Sequence, residues 1–457
     1  MSTTYDTPLK LGCVTGVGIF LSTLDSGIIN IALPRLLTVF DTQMATVIWT
    51  VTIFTLILSA SILLWGRVAD KVGRLKVYTW GLGLFAISSL LCGASISVGM
   101  LIICRAIQGL SAAMMQATGI ALITTRLEGE AKSKAMGIFG MFIGLGPMMG
   151  PVVGGLILSS VGWRWLFWIN LPICILGLYG CSRLAPVQES LKASSFNYKN
   201  LALLTVTLFS LMLTLNWSSH GHHPVLVLAG VTVVLALVYL ICETTTKKPV
   251  IPLKYFLSIS FLAPILGIIA FGGATSVSFM LPPLYFEKLR HFSSWQVGLI
   301  SLSAPLGILI SARSASKVIQ KIGTKKAMLI GMGLMIVALL TLTQWQTSWP
   351  VYVIFVLLLL YGLGGGLFQT PCYINITSQF VPSEQAFISA LVRMVQNLAI
   401  AFESAGAALL ISLAQQSSSS SLLQGLQHGW WLAGIMAIVA LIALVVSYCQ
   451  RGDYDTG

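Results

Sequence analysis

Apolar runs of about 20 residues, the length that carries a helix across a bilayer, recur from one end of this chain to the other. Residues 431–448 form one such run, and residues 82–103 another, interrupted only at Ser97-Val98-Gly99. Of the 457 residues 56% are hydrophobic and 9% charged, too little charge to cover a soluble surface, so the bilayer is the solvent. The first run is too long for a signal-peptide core and carries Asp25, so it reads as a retained span. Fourteen spans are expected, starting near Leu9, Ala45, Val77, Met100, Ala135, Trp163, Leu201, Pro224, Phe261, Trp295, Ala327, Pro350, Ala386 and Gly429. The expected fold is an all-α polytopic membrane protein.

Net charge is +13, from 26 Lys+Arg against 13 Asp+Glu. In a soluble protein that balance would suggest nucleic acid, but here it follows span topology. With both termini cytoplasmic, 20 of the basic residues fall in inner segments. Four fall outside (Arg35, Arg164, Lys288 and Arg290), and Arg105 and Arg393 lie within spans. Positive residues collect on the cytoplasmic side, so this split sets the orientation and requires no nucleic-acid partner. The eight cysteines are scattered without a Cys-x-x-Cys pair, which argues against a disulfide framework and a zinc site. The run "HGHH" (220–223) falls in an outer loop and reads as solvated histidines, so no metal is expected. Trp49, Trp65, Trp80, Trp163, Trp345 and Trp349 lie near span ends, as interfacial anchors should. Trp165, Phe167 and Trp168 could line a drug pocket or simply pack. "QQSSSSS" (415–421) reads as a flexible outer loop.

The stretch "WGRVADKVGRLKV" (65–77) gathers Arg67, Asp70, Lys71, Arg74 and Lys76 in the loop between spans 2 and 3. Laid over "SKVIQKIGTKK" (316–326), it matches Val68 with Val318, Lys71 with Lys321, Gly73 with Gly323 and Lys76 with Lys326. Both stretches follow the second span of a six-span group, as in a transporter built from parallel repeats. Gln320 stands where the first copy has Asp70, so the halves differ in function.

"GRVADKVGRLK" resembles the loop signature of the major facilitator superfamily. "LDSGIINIALP" (24–34), "LIICRAIQGLSAA" (101–113) and "GLGPMMGPVVGG" (144–155) resemble the first-, fourth- and fifth-helix signatures of its 14-span drug:proton antiporter branch, and "GWRWLFWINLP" (162–172) fits the start of span 6. The resemblance implies a major facilitator fold of two six-helix bundles with two extra inserted spans. The expected divisions are 1–185, 186–258 and 259–457. It also implies proton-linked coupling at Arg105 and a span-5 element that limits leak.

The residues support parts of this without the family. Gly66 and Gly73 permit tight turns, Asp70 can accept from arginines or a helix start, and Arg67 and Arg74 stay in headgroup water. Together these five form a candidate conformational latch, or they only set topology. In span 5, Gly144, Gly146 and Gly150 with Pro147 and Pro151 allow close helix approach and kinks, for mechanism or for ordinary packing.

Ionisable groups within spans are costly and usually functional. A rise of about 1.5 Å per residue puts Asp25 about 22 Å above the inner end of span 1 and Glu403 about 26 Å up span 13. Arg105 lies about 9 Å below the outer end of span 4. Asp25, Arg105 and Glu403 are the candidate proton-coupling and substrate groups. Asn30, Gln108, Gln116, Arg393, Gln396 and Asn397 are candidate cavity-lining residues, since Arg105 with Gln116 and Gln396 with Glu403 share helix faces. For Asp25 the alternative is a structural partner, for Arg105 a tie between spans, and for Glu403 a residue reaching interfacial water.

The expected function is proton-coupled export of amphipathic, cationic small molecules by a multidrug efflux pump in the bacterial plasma membrane. It would act as a monomer by alternating access, with small-molecule substrate, protons and lipid as partners. No enzyme activity is expected and no cofactor, the proton gradient being the drive. One alternative is a dedicated exporter of a single metabolite such as a siderophore or antibiotic. Another is a membrane-embedded sensor or enzyme, against which stands the absence of a catalytic constellation.

Overall fold

The computed structural model describes residues 7–42, 44–47, 49–184, 197–217, 222–246, 249–250, 258–292, 294–381, 384–417 and 421–452. The elements among them are helices throughout: α1 (Pro8–Phe40), α2 (Met44–Val47), α3 (Trp49–Val72), α4 (Arg74–Gly93), α5 (Val98–Arg126), α6 (Gly129–Ser160), α7 (Trp165–Trp168), α8 (Asn170–Ser182), α9 (Tyr198–Trp217), α10 (His222–Thr245), α11 (Ile259–Lys288), α12 (Ser294–Ser301), α13 (Ser303–Leu342), α14 (Val351–Thr377), α15 (Gln385–Ser417) and α16 (Ser421–Gly452). Apolar chain in hydrocarbon must close its backbone hydrogen bonds within each segment, which selects helices. Polar residues mark where helices begin. Thr7 Oγ1 accepts from Lys10 N–H at 3.3 Å to cap α1, and Ser97 caps α5 through Met100 N–H at 3.2 Å. On α10, Leu226, Val227, Val233, Val234, Leu237 and Ile241 are exposed, as hydrocarbon solvent allows.

Eleven helical segments among the described residues are long and apolar enough to cross a membrane. One of them, residues 296–342, is 47 residues long and contains Gly323 at φ 82°, outside helical backbone space. The chain divides into two compact units, Met1–Val250 with Phe380–Met394, and Ile251–Gln379 with Val395–Gly457.

The 65–77 stretch is helical, not the expected loop. Helix α3 runs through Arg67 and Asp70 to Val72, and α4 starts at Arg74, leaving Gly73 as the only residue between them. Gly73 has φ 116°, a region that suits glycine alone, and Gly323, its counterpart in the second copy, has φ 82°. The repeat read from sequence is thus a repeated backbone break. Gly66 makes no turn; it is buried inside α3. Nor are Arg67 and Arg74 in headgroup water, each being 3% exposed.

Small residues set the tightest helix contacts. A Cβ on Gly150 of α6 would lie 2.9 Å from Gly27 Cα of α1, and one on Gly146 would collide with Thr23. In the second unit, Gly362 of α14 faces Ala304 and Gly307, while Gly364 faces Gly331 and Met335. One contact works by insertion. The buried Tyr78 hydroxyl of α4 donates to Val14 O at 2.6 Å and accepts from Gly18 N–H at 2.9 Å. Those two groups are the pair that would close one turn of α1, so a side chain enters the ladder there.

Two interfacial tryptophans prove to be core residues. Trp345 is fully buried against Tyr285, Phe286 and Trp430, and Trp163 packs on Phe40 and Phe167. Helices α15 and α16 occupy both ends of the serine-rich stretch read as a loop, leaving residues 418–420 outside the described ones.

Gly150→Ala should destabilise the protein by about 1–3 kcal/mol, because its methyl group meets the α1 backbone and neither helix can yield cheaply. Gly155→Ala, with nothing within 4 Å of the added carbon, should change stability by less than about 0.5 kcal/mol. Thermal denaturation of both variants in the same detergent checks the contrast.

Candidate functional site

Asp25 lies on α1, 2% exposed, and an anion held so far from water requires partners. Arg105 of α5, fully buried, donates to Asp25 Oδ2 through Nη1 and forms an ion pair with it. Arg105 also donates to Gln108 Oε1 at 2.7 Å and to Thr50 O of α3 at 2.8 Å, and its guanidinium lies 4.3 Å over the Phe54 ring. The other carboxylate oxygen accepts from Gln108 Nε2 at 3.3 Å and from Asn170 Nδ2 of α8 at 3.1 Å. Ser89 Oγ of α4 accepts from the same two amides, at 2.8 and 3.4 Å. Five helices therefore meet at one ion pair. Sequence reasoning named Asp25, Arg105 and Gln108 but missed Ser89 and Asn170, although Asn170 stands as a lone amide in an apolar run.

Glu403 of α15 presents the opposite case. It is 3% exposed, yet its Oε1 has no hydrogen-bond partner, and among the described residues it forms no ion pair. Its carboxyl lies against α11 where Gly273 leaves room; a Cβ there would be 2.8 Å from Oε2. Tyr361 of α14 is within electrostatic reach, with its hydroxyl 2.8 Å from Thr275 Oγ1. One face down α15, Gln396 Oε1 accepts from Tyr373 OH at 2.6 Å, and Tyr373 OH accepts from Gln369 Nε2 at 3.2 Å. Asn397 Nδ2 is buried without a partner. Tyr361, Tyr373, Gln369 and Thr275 were not legible as site residues, because tyrosine and glutamine in an apolar helix read as packing.

Arg105 and Gln116, read as sharing one helix face, make separate contacts. Gln116 Oε1 accepts from Arg393, at 3.2 Å from Nη2 and 3.4 Å from Nε, both residues lying in the first unit. Gln396 belongs to the second unit with Glu403. The side chains of Asn30, Pro147 and Pro151 fall outside the described ones, while Gly144 and Gly146 are buried in α6.

Around Gly73 the charges join across sequence. Asp70 Oδ1 accepts from Arg74 at 2.9 Å, and Asp70 Oδ2 accepts from the backbone N–H of Phe387, in the first turn of α15, at 3.0 Å. A carboxylate at a helix N-terminus is favoured by the unpaired amides and the helix dipole. Arg67 stacks 3.5 Å above the Phe387 ring and donates to Val250 O. Gln320, the counterpart of Asp70, is exposed.

No group of three or more metal-ligating side chains occurs among the described residues. The pattern of the Major Facilitator Superfamily matches residues 15–402 and 264–452. The chain belongs to that superfamily. It is a transporter-family protein with many membrane-crossing helices, and its relatives include the drug-efflux branch. It is 29% identical to the riboflavin transporter RibZ of Clostridioides difficile over 96% of both chains. It is also 29% identical to the puromycin resistance protein pur8 of Streptomyces alboniger, over 96% of this chain and 91% of that one. Among solved structures, the human organic anion transporter MFSD10 has the same fold, with TM-score 0.65 at 18% identity, covering 94% of this chain and all of that one.

Breaking one side of the Asp25–Arg105 pair should cost about 3–5 kcal/mol, because the remaining charge stays buried and unmatched. The double variant Asp25→Asn/Arg105→Met should be more stable than either single variant, since the two losses are not additive within one network. Denaturation of the three proteins in a common detergent measures this coupling.

Proposed function

We propose that this major facilitator protein is a proton-coupled exporter of amphipathic organic cations that works by alternating access. The observation that carries the proposal is the contrast between its two buried acids. Asp25 is committed to Arg105, Gln108 and Asn170, whereas Glu403 keeps an oxygen without a donor. A carboxyl lacking a counter-ion can exchange a proton for a cation as its surroundings wet and dry, and ionisable groups inside spans mark such pathways. Glu403 is therefore assigned to the proton and to cationic substrate. Asp25 with Arg105 holds the first unit's helices in register and tunes that cycle, and the Asp70–Phe387 contact latches one of its states.

The proposal includes fourteen spans. Dividing the 47-residue segment at Gly323 and adding α6 and α9 to the eleven candidates brings the total to that number. The distribution of Lys and Arg supports a bacterial plasma membrane orientation with both termini cytoplasmic. No cofactor enters the scheme, the drive is the proton gradient, and one chain suffices.

A second reading is transport of one planar heteroaromatic metabolite, supported by the likeness to a riboflavin transporter along nearly the whole chain. The two readings separate in inside-out vesicles carrying an acid-inside pH gradient. On the first, tetraphenylphosphonium or ethidium should dissipate the gradient in wild type and fail to do so in Glu403→Gln, while riboflavin does nothing. Dissipation by riboflavin alone would establish the second reading. If no cation moves protons in wild type, or Glu403→Gln retains the full rate, Glu403 is not the coupling group.

A further inference from the structure

Helices α9 and α10 form a hairpin that the candidate site does not use, yet its end carries a buried acid. Glu243, in the last turn of α10, is 2% exposed. Its Oε2 accepts from Asn200 Nδ2 of α9 at 2.8 Å, and the same amide donates to Cys242 O at 3.2 Å. Asn200 is itself 4% exposed. A neutral amide can orient a buried carboxylate, but it does not balance its charge.

The nearby charge is Arg67. Glu243 lies within electrostatic reach of it, together with Asp70, Glu384 and the Tyr239 hydroxyl. Arg67 also donates to Val250 O, five residues along the chain from the end of α10. On its other side the guanidinium stacks on Phe387, whose N–H is held by Asp70. A guanidinium presents a planar face for stacking and a rim of donors that all point outward. At Arg67 the face meets Phe387 of α15, while the rim donates to Val250 O with Glu243 in electrostatic reach.

We infer that Glu243, oriented by Asn200, is a positioning residue that acts through Arg67 to stabilise the contact between Asp70 and the first turn of α15. The two helices between the repeats thus set how firmly the latch closes. Charge explains why the tie runs through this pair. Opening the latch strips Phe387 from the guanidinium, and Arg67 keeps its place only if another acceptor holds the rest of the fork. Two other hairpin bonds, Ser210 with Thr232 at 2.7 Å and Thr214 with Thr232 at 3.0 Å, staple α9 to α10 without reaching any charge. The inference is independent of what the protein carries.

Backbone exchange reads the latch directly, since Phe387 N–H is one of its bonds. Hydrogen–deuterium exchange of the full chain in lipid nanodiscs should show the segment 385–391 exchanging about tenfold faster in Glu243→Gln than in wild type. That factor corresponds to about 1.4 kcal/mol, the scale of one charge-assisted contact. Glu243→Asp should recover part of the protection. On an Arg67→Met background Glu243→Gln should add nothing. Asn200→Ala leaves the charge in place but unoriented, should act in the same direction, and carries the test if Glu243→Gln does not accumulate. Unchanged exchange at 385–391 in both Glu243→Gln and Asn200→Ala would overturn the inference. So would acceleration spread evenly over α9 and α10, which would make Glu243 a staple of its own hairpin. An additive effect on the Arg67→Met background would show that Glu243 does not act through Arg67.

Discussion

A charge inside a bilayer protein must bring its own solvent, and the Asp25–Arg105 pair shows what that demand organises. The cost of desolvating either ion is several kcal/mol, so hydrogen bonds to their lone pairs and N–H groups are needed to offset part of it. That requirement draws in Thr50, Ser89, Gln108 and Asn170 from α3, α4, α5 and α8. Five helices are thereby fixed relative to one another by a few polar atoms. Glu403 inverts the arrangement. A carboxyl left short of partners holds nothing in register, so its burial needs another reason, which the proposed exchange with a mobile cation would supply.

The helix contacts divide along the same line between fixed and movable. Gly150 against Gly27, and Gly362 against Ala304 and Gly307, bring backbones into direct contact, which resists sliding because interiors are close-packed and only weakly compressible. Tyr78 does the reverse to α1. Its hydroxyl bonds both Gly18 N–H and Val14 O, so a side chain from another helix engages that turn. Such an insertion localises bending. It lies seven residues before Asp25 on the same helix, close to the ion pair.

The amino-acid sequence made an all-helical membrane protein with many spans legible, and it drew attention to Asp25, Arg105 and Glu403 because a charge in an apolar run stands out against its neighbours. Depth arithmetic placed Asp25 and Arg105 in the same half of the bilayer before their contact was visible. The neutral partners were hidden for a physical reason: Asn170, Ser89, Gln369 and Tyr373 differ little from packing residues in hydropathy, and only geometry reveals their hydrogen bonds. Glu243 was hidden differently: it is followed by Thr244, Thr245, Thr246, Lys247 and Lys248, a polar stretch in which one more charge does not stand out. The loop read at 65–77 failed because charge suggested water, whereas Arg67, Asp70 and Arg74 are buried and neutralise one another within and beside a helix end.

The two glycine breaks show how a repeated backbone can carry unequal chemistry. Gly73 and Gly323 both leave the helical region with positive φ, so the turn itself needs only a residue without a side chain. What surrounds the turn is free to diverge. In the first unit Asp70 has captured a helix N-terminus and Arg67 an aromatic ring, while Gln320 at the matching place in the second faces outward. An acid that accepts from backbone amides makes a bond that breaks as one piece when the helix moves. A single amide side chain at the surface has no such partner to lose. The geometry that repeats therefore sets where the chain turns, and the charges that do not repeat give the first turn its tie to α15.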